Sequence, residues 1–570
     1  MGNLTRMVQG ESRRMIRRAF AALLLSPAVA QAQERTSASP RAPAIAPARL
    51  DLGGAILADG DELRYLRDLS LLDTGRTASL LIQPFGQRAE RAWRSVTTRA
   101  EHPWTDRFAA IADSRFQPRD WHGIRVSLLR PDALVRFNSA LPSTATDGVI
   151  WAGRGATLGV QAGAAFEWRW LRGQLAPVIF RAQNADFAIA PTGRTGPLAY
   201  ADPRFPTNID LPQRFGDATY GRLDLGDSFV EASALGFSLG LSNARQHWGP
   251  ARRYPMVLGT NSGGFAHGFV GTDGPLDIGI GQIQARLVTG RLEQSPYSSV
   301  QSGQTARFFT GFIGAFSPRF FPGLEAGAIR IVNGAWPQGG IGIGEVTRVF
   351  QGVISDNVSS INMNNENQFA SLFIRLAPPG SGFEAYGEMT REDFAGNWRW
   401  LWMQPDDLMD YVLGLARTRL AADGALHTVR LELVNGETSH QERLGRRLIR
   451  PIPPYTHGRT PQGLTNRGQL LGSPEAYSGA GGIIAWDRRS ARGRRTIALE
   501  RALIRDWVRG MATPGVPWAE VRYGARAEVV RFRGDRELGL VVAPSWTLNH
   551  NLERGADIFD IAVQLRWRGW

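Results

Sequence analysis

Apolar and polar residues alternate with a period of two along most of the chain after about residue 120. In the segment 156–170, the even-numbered positions from Leu158 to Trp170 are apolar, while the odd-numbered positions from Thr157 to Arg169 are mostly small or polar. Successive side chains of a β-strand point to opposite faces, so this pattern predicts a strand with one apolar and one polar face. The same alternation recurs at 282–287, 428–433, 521–529, 538–549 and 559–568.

The alternating segments are about ten residues long or longer, which is the length that a tilted membrane-crossing strand needs. Trp and Phe lie near their ends, where a membrane barrel carries aromatic girdles. A soluble β-sandwich also alternates, but the strand length and the aromatic ends favour the membrane. With roughly 24 residues for each strand and its connection, residues 148–570 predict an all-β transmembrane barrel of about 16–18 antiparallel strands.

The region before the barrel has a helical period instead. Asp59 is placed to cap a helix, and Glu62 three residues later completes a capping box. Gly75 is placed to end this helix, and a second helix is predicted from Gln87 to Glu101. We therefore expect a small α-helical bundle before the barrel. Apolar residues of the first helix recur at near-helical spacing: Leu63, Leu66, Leu69 and Leu72.

The first residues have the order of features that a secretory signal requires. A basic stretch, Arg13 to Arg18, precedes the apolar run 19–29 and the small-residue steps that end at Ala32. A cytoplasmic amphipathic helix is the alternative, and the order of the features argues against it. The predicted organisation is a signal peptide at 1–32, a flexible leader at 33–50, a periplasmic helical bundle at 51–118 and an outer-membrane barrel at 119–570.

Three stretches are too rich in Pro and Gly to be predicted as strands: 191–214, 247–275 and 445–479. Connections of this length are expected on the extracellular side of an outer-membrane barrel, or folded inward to plug it.

The chain contains no cysteine, and its formal net charge is +14. It therefore has no disulfide and no thiolate metal site. A basic balance is compatible with nucleic acid, acidic lipid or acidic glycan as a partner, and the predicted export excludes nucleic acid. The absence of lysine is also typical of a GC-rich genome, so the charge alone does not establish a function.

Four segments of the predicted barrel have a distinctive composition and order. They are 147–168, 246–271, 384–394 and 455–468. The second begins with the run Gln-His-Trp-Gly-Pro-Ala-Arg-Arg from Gln246 to Arg253. Together these segments resemble the motifs of the Wzi-type capsule-assembly barrels. This resemblance implies an outer-membrane, lectin-like barrel with periplasmic helices, which helps to hold capsular or exopolysaccharide at the cell surface. It implies no catalysis and no cofactor.

A binder of acidic polysaccharide needs positive charge, aromatic faces for sugars and hydrogen-bonding side chains. Arginine suits carboxylates because its planar fork binds them bidentately. One segment supplies this mixture, and its candidate polysaccharide-binding residues are Trp248, Arg252, Arg253, Tyr254, Asn261 and His267. The alternative is that these residues hold a plug loop inside the barrel. A second set predicts a polar network in the lumen: Glu388, Arg391, Glu392 and Asp393.

Three hypotheses follow for the function. The first is a surface barrel that attaches glycan, with outer-membrane lipid and the polysaccharide export machinery as further partners. The second is a porin or solute channel, because the strands of open and of plugged barrels show the same alternation of apolar and polar residues. The third is an outer-membrane hydrolase, for which Ser262 near His267 is the only weak indication. We expect no catalytic residue and no metal site, because the eight histidines lack paired ligand spacing.

Overall fold

A computed structural model describes most of the chain after residue 60. The described residues are 61–75, 79–99, 101–112, 119–143, 148–300, 304–352, 366–392, 398–403, 405, 409–437, 453–477, 479–505 and 519–569. The predicted signal peptide and leader, together with Asp59, Asp393 and Trp570, lie outside them. Within the described ranges, no helix has the length and apolar character needed to cross a membrane.

Three helices precede the barrel strands: α1 (Asp61–Ser70), α2 (Gln87–Arg99) and α3 (Thr105–Ala112). The first two agree with the sequence pattern, whereas α3 was not predicted. Short helical segments also occur within the later connections, as α4 (Ile343–Val346) and α5 (Trp398–Met403).

An apolar cluster holds the helices together and joins them to the barrel. Tyr65 of α1 stacks on Trp104, with ring centroids 3.9 Å apart, and Trp104 in turn meets Phe532 of the barrel edge-on at 5.0 Å. Leu426, which begins a barrel strand, belongs to the same buried cluster. The helices are therefore packed against the barrel and do not form a separate body.

The rest of the described chain is dominated by one sheet of 24 antiparallel strands. Four short strands lie outside it: β1, β12, β22 and β23. The strands are β1 (Ile82–Gln83), β2 (Arg119–Trp121), β3 (Ile124–Leu128), β4 (Asp132–Asn138), β5 (Gly155–Gln161), β6 (Ala164–Trp168), β7 (Leu171–Leu175), β8 (Val178–Ala182), β9 (Tyr220–Asp224), β10 (Phe229–Ala234), β11 (Phe237–Ser242), β12 (His247–Trp248), β13 (His267–Thr272), β14 (Leu276–Asp277), β15 (Gly281–Glu293), β16 (Ala306–Pro318), β17 (Leu324–Ala335), β18 (Glu366–Leu376), β19 (Phe383–Glu392), β20 (Met409–Leu420), β21 (Leu426–Asn435), β22 (Thr465–Asn466), β23 (Gln469–Leu470), β24 (Gly479–Ser490), β25 (Gly493–Arg505), β26 (Ala519–Arg533), β27 (Arg536–Leu548) and β28 (Ile558–Arg568).

The order of strand pairing follows the chain and returns to its start. The last strand, β28, pairs antiparallel with β4, for example through Leu565 and Val135. Several barrel strands are interrupted and appear as two segments each: β3–β4, β5–β6, β7–β8, β9–β10 and β13–β14. Counting each pair once, and setting aside the short β2, gives 18 barrel strands from the 24 of the sheet. The expectation of an all-β membrane barrel is confirmed.

The outward face of the barrel is apolar, as the alternation predicts. Leu158 and Val160 are exposed, whereas Thr157 and Gln161 on the same strand are buried inside. Farther round the barrel, Leu241 is 72% exposed and Phe559 is 63% exposed. Such a band of large apolar side chains is stable only against lipid tails, so it marks the membrane-facing surface.

The two ends of the barrel differ in the length of their connections. At one end, turns as short as Leu235–Gly236 and 491–492 join neighbouring strands, whereas the other end carries long connections such as 183–219 and 436–478. In outer-membrane barrels the short turns face the periplasm. The helices lie at this short-turn end, where the backbone N–H of Gly382 donates to the carbonyl of Leu71.

A buried charge cluster ties the helices to the seam between the first and last barrel strands. Glu62 of α1 accepts hydrogen bonds from Arg130 at 2.6 Å and from Arg568 at 3.0 Å. Arg107 of α3 pairs with Glu62 and with Glu537. Burial alone acts to raise the pKa of Glu62, but the guanidinium groups of Arg568, Arg130 and Arg107 outweigh it and hold that pKa well below its usual range.

Candidate functional site

Two long connections fold back into the lumen. The first plug loop, residues 243–266, joins β11 to β13, and the second plug loop, residues 453–477, precedes β24. The hydroxyl of Tyr455 in the second loop donates to the carbonyl of Met256 in the first at 2.7 Å. The first loop also pairs with the chain after α1, because Trp248 lies opposite Ile82 in a two-stranded sheet. The lumen is therefore occupied by the protein's own chain.

The plug loops are packed against one side of the barrel by an apolar core. Phe265 of the first loop meets Phe309 of β16 with ring centroids 5.0 Å apart, and Tyr455 stacks on Phe369 of β18 at 5.5 Å. Much of this side of the lumen is consequently dry, although alternation had suggested a polar and wet interior. The inward-facing members of this core on β16 to β19 are Phe309, Ile313, Ala315, Ile329, Ile331, Phe369, Phe373 and Tyr386.

Four of the six candidate polysaccharide-binding residues are buried, and two of these, Trp248 and His267, do not reach the cavity beside the plug loops. Trp248 is 0% exposed and His267 is 4% exposed. His267 was expected in a loop, but it begins the barrel strand β13, which its glycine-rich sequence had hidden. Its ring nitrogens lie 2.7 Å from the carbonyl of Phe265 and 3.3 Å from the side-chain nitrogen of Gln246. The hydroxyl of Ser262 donates separately to the carbonyl of Gly263.

The arginines of the first plug loop are fixed by carboxylates. Arg252 pairs with Glu384 and with Asp68 of α1, each at 2.6 Å. Burial alone acts to lower the pKa of Arg252, but these two carboxylates outweigh it and hold that pKa well above its ordinary value. Arg253 lies 3.5 Å from both Glu475 and Glu500.

Glu432 is an anchor of this turn that the sequence analysis did not single out. Its carboxylate accepts the backbone N–H groups of Arg252 at 2.8 Å, Arg253 at 2.9 Å and Tyr254 at 2.6 Å. The hydroxyl of Tyr386 donates to it as well. Its inward position on an alternating strand was the only signal in the sequence, and many inward carboxylates share that signal.

Among the residues predicted as a lumenal polar network, Glu392 contacts the second plug loop, whereas Glu388 bonds to the barrel wall. Glu388 accepts the hydroxyl of Ser371 at 2.7 Å. Glu392 accepts the side-chain amide of Asn367 at 3.2 Å and the backbone N–H of Tyr455 at 3.1 Å. Arg391 is buried on the same strand, at 5% exposure.

A cavity of about 830 Å³ remains between the plug loops and the opposite wall, which is formed by β24–β28 and β4. It reaches from Ala188 and Asn551 at the long-loop end to Arg64 of α1 at the short-turn end. Small inward side chains create this space. They are Ala498, Ala502, Gly524, Ala543, Ser545 and Ala562. The candidate binding residues that line it are Arg252, Arg253, Tyr254 and Asn261, while Trp248 and His267 do not.

The residues that line the cavity include twelve arginines and six carboxylates, although one of these arginines, Arg501, is exposed on the outward face over Tyr523. Several of these arginines are compensated by carboxylates set behind the lining, as in the pairs of Arg430 with Asp487 and Arg566 with Asp132. The lining is therefore close to balanced in most places. Among the described residues, no group of three His, Cys, Asp or Glu side chains is arranged to hold a metal ion.

The chain matches no protein-family model and no curated protein sequence. Its structure is similar to that of Wzi, an outer membrane protein involved in group 1 capsule assembly in Escherichia coli and described as a carbohydrate-binding β-barrel. The two share 14% sequence identity with a TM-score of 0.57, over 90% of this chain and 99% of Wzi. This chain has the fold of a Wzi-type barrel. The resemblance indicated by the four sequence segments is thus confirmed for the fold.

Outer-membrane proteins of Pseudomonas aeruginosa also align, but less well. OccK2 gives a TM-score of 0.38 at 10% identity, over 78% of this chain and 96% of its own. OprD gives a TM-score of 0.35 at 12% identity, over 77% of this chain and 92% of its own. Likeness at this level carries no functional argument.

Proposed function

We propose that the protein is a lectin-like barrel of the outer membrane that helps to assemble or retain capsular or exopolysaccharide at the cell surface. The plug is the observation that carries this proposal. The two plug loops fill one side of the lumen with an apolar core, and they present Arg252, Arg253 and Asn261 to the remaining cavity. A lumen filled in this way suits binding better than free diffusion. The similarity of this fold to that of Wzi also supports the proposal.

The proposal includes export through the predicted signal peptide at 1–32, and it includes no catalytic activity. It also places the helices α1–α3 on the periplasmic side, where the export machinery would contact them. Site-specific crosslinking from an exposed helix position such as Arg91 tests that contact. Crosslinks to periplasmic export proteins support it, and crosslinks confined to the barrel itself contradict it.

Deleting the gene and measuring cell-bound against shed polysaccharide tests the main proposal. We expect the bound fraction to fall severalfold, with the missing polymer recovered in the medium, and the wild-type gene to restore retention. A strain complemented with the lipid-facing variant Phe559→Leu is the matched control for expression and insertion. Unchanged retention in the deletion strain would contradict the proposal.

The second candidate is a solute channel, which the extent of the cavity favours. The cavity runs beside the plug from the long-loop end to α1, and polar side chains such as Arg522 and Ser545 line it. Conductance of the purified protein in planar bilayers separates the two functions. A plugged binding barrel gives no steady current or a very small one, whereas a large and stable current favours the channel.

A further inference from the structure

The β25–β26 wall of the cavity brings several arginines close to few carboxylates. Arg522 and Arg526 both point inward on β26, four residues apart, which is about 13 Å along a strand. Gly524 lies between them, so the wall has no side chain there. Glu500 of β25 interacts electrostatically with Arg253, Arg526 and Arg522 together. Glu500 thus interacts with three guanidinium groups, of which Arg253 is in direct contact at 3.5 Å.

Among the arginines that the structure describes on the inner face of this wall, Arg522 lacks a direct ion pair, whereas its neighbours have one. Glu475 and Glu500 are both approached by Arg253. Glu528 is paired with Arg494 at 2.6 Å and with Arg526 at 3.4 Å. Against the described residues, Arg522 forms no hydrogen bond and no ion pair, although it lies half-buried inside the barrel. A guanidinium group in this position, with Glu500 as a longer-range electrostatic partner but no direct ion pair to the described residues, is expected to bind an anion or to remain hydrated.

The surroundings of Arg522 offer open space and hydrogen-bonding side chains. Small residues make room beside it, and the neighbouring lining offers the hydroxyl of Ser545 and the side-chain amide of Asn551. The plug loop opposite contributes Asn261 and Arg253. A volume of about 830 Å³ is within the usual range for a ligand pocket.

We infer that this cavity binds a carboxylated sugar residue of an acidic glycan, with Arg522 as the residue that pairs with the carboxylate. The site lies inside the barrel and not on the outer surface of its loops. This inference rests on the proposed glycan function, and it specifies a uronic-acid type of ligand. A guanidinium group binds a carboxylate through two parallel hydrogen bonds, which a neutral sugar cannot accept in the same way.

Isothermal titration of the full-length protein in detergent tests the site, with trigalacturonate as the probe. The neutral trimer maltotriose and the galacturonate monomer are the comparison ligands. We expect trigalacturonate to bind, added salt to weaken its binding, and maltotriose to show no binding. The monomer is expected to bind at least tenfold more weakly than the trimer. Equal affinity for the trimer and the monomer would contradict a glycan as the ligand and would indicate a site for small acids.

The variant Arg522→Gln removes the proposed partner, and Arg531→Gln on the same strand is its control. Arg531 faces outward and is exposed, so it cannot reach the lumen. We expect Arg522→Gln to weaken trigalacturonate binding about tenfold or more, because the neutral amide cannot form the charge-assisted hydrogen bonds to the carboxylate. Arg531→Gln should bind like the wild type. Equal binding by the two variants, or no binding by the wild type, overturns the inference.

Polysaccharide retention separates this inference from the function on which it rests. If deletion of the gene releases polymer but Arg522→Gln binds trigalacturonate normally, the function stands and the site is wrong. If retention is unaffected by deletion while Arg522 is needed for trigalacturonate binding, the site stands and its role in capsule retention is wrong.

Discussion

The two sides of the lumen are built from the same kind of alternating strand, yet they are filled in opposite ways. On β16–β19 the inward positions carry large apolar residues such as Phe309 and Phe373, which pack against the plug loops. On β25–β28 the inward positions carry Ala, Gly and Ser between charged residues, and a cavity remains. Alternation therefore sets which face is inside, while side-chain size at the inward positions decides whether that inside is packed or hollow.

Truncating the packed side gives the largest expected effect. Phe309→Ala removes a fully buried ring that meets Phe265 of the first plug loop. We expect a loss of about 3–5 kcal/mol in the free energy of unfolding, as for other buried aromatic residues. Denaturant unfolding in detergent measures it. Phe559→Ala on the outward face is the control, and its smaller loss is expected because detergent fills the space. Equal losses would contradict a packed lumen.

Low pH is expected to weaken the ion pairs that attach the helices, whereas the apolar packing of the plug does not depend on pH. In the folded protein the pKa of Glu62 and that of Asp68 lie below their ordinary values of 4.5 and 3.8, because arginines outweigh the effect of burial. The unfolded chain therefore binds more protons at low pH. The stability from these groups is present above about pH 4.5, the ordinary value for Glu62, and is lost as the pH falls below it.

We expect the melting temperature, followed by circular dichroism, to fall between pH 5 and pH 3. Glu62→Gln should be less stable at pH 7 by about 3 kcal/mol, because it leaves buried arginines uncompensated. It should also lose less stability on acidification than the wild type. Phe309→Ala should keep the pH dependence of the wild type. A Glu62→Gln protein with unchanged acid sensitivity would refute this account.

A pair of identical substitutions compares the two sides directly. An added Cβ at Gly311 of β16 would lie 3.0 Å from Trp248 and from Ile331, whereas at Gly524 of β26 the nearest atoms are 3.9 Å away. We expect Gly311→Leu to cost about 1–3 kcal/mol through overpacking. Gly524→Leu should change stability by less than about 0.5 kcal/mol. Chemical denaturation of both variants checks the difference, and similar losses would mean that the cavity is not open space.

The smallest effect is expected for the tether between the plug and the hollow side. Arg253 is about one-fifth exposed, with a side-chain exposure of 18%, and its two carboxylate partners are 3.5 Å away. Arg253→Gln should therefore cost less than about 1 kcal/mol, as for other solvent-accessible pairs. Thermal unfolding measures it. A loss as large as that of Phe309→Ala would show that the tether, and not the apolar core, holds the plug.

Most of the barrel wall could be predicted from the sequence, because the alternation of apolar and polar residues within each strand shows which of its faces is inward. The segment 156–170 has the predicted inward and outward positions, even though the strand is interrupted at Gly163. Helix α3 was missed because it is short, and β13 because its glycines do not alternate clearly. These are local ambiguities.

The candidate site was harder to predict, because it depends on distant contacts. Alternation along β26 places Arg522 on the inward face and Arg531 on the outward face, but it does not show that Arg522 lies beside a cavity and opposite a plug loop. Glu432 contacts a turn about 180 residues away in the chain, with an N–O distance of 2.8 Å to Arg252. The prediction that Trp248 and His267 bind glycan remains untested, and neither residue lines the cavity.

The two plug loops meet across a long stretch of sequence, since Tyr455 reaches Met256 over a separation of 199 residues. During biogenesis, Met256 of the first loop lacks this partner until the second loop has been translocated. Contacts of such long range form late and slowly. A nascent barrel that stalls before residue 453 would leave the part of the first plug loop around Met256 uncovered, which makes it a natural substrate for periplasmic chaperones and proteases.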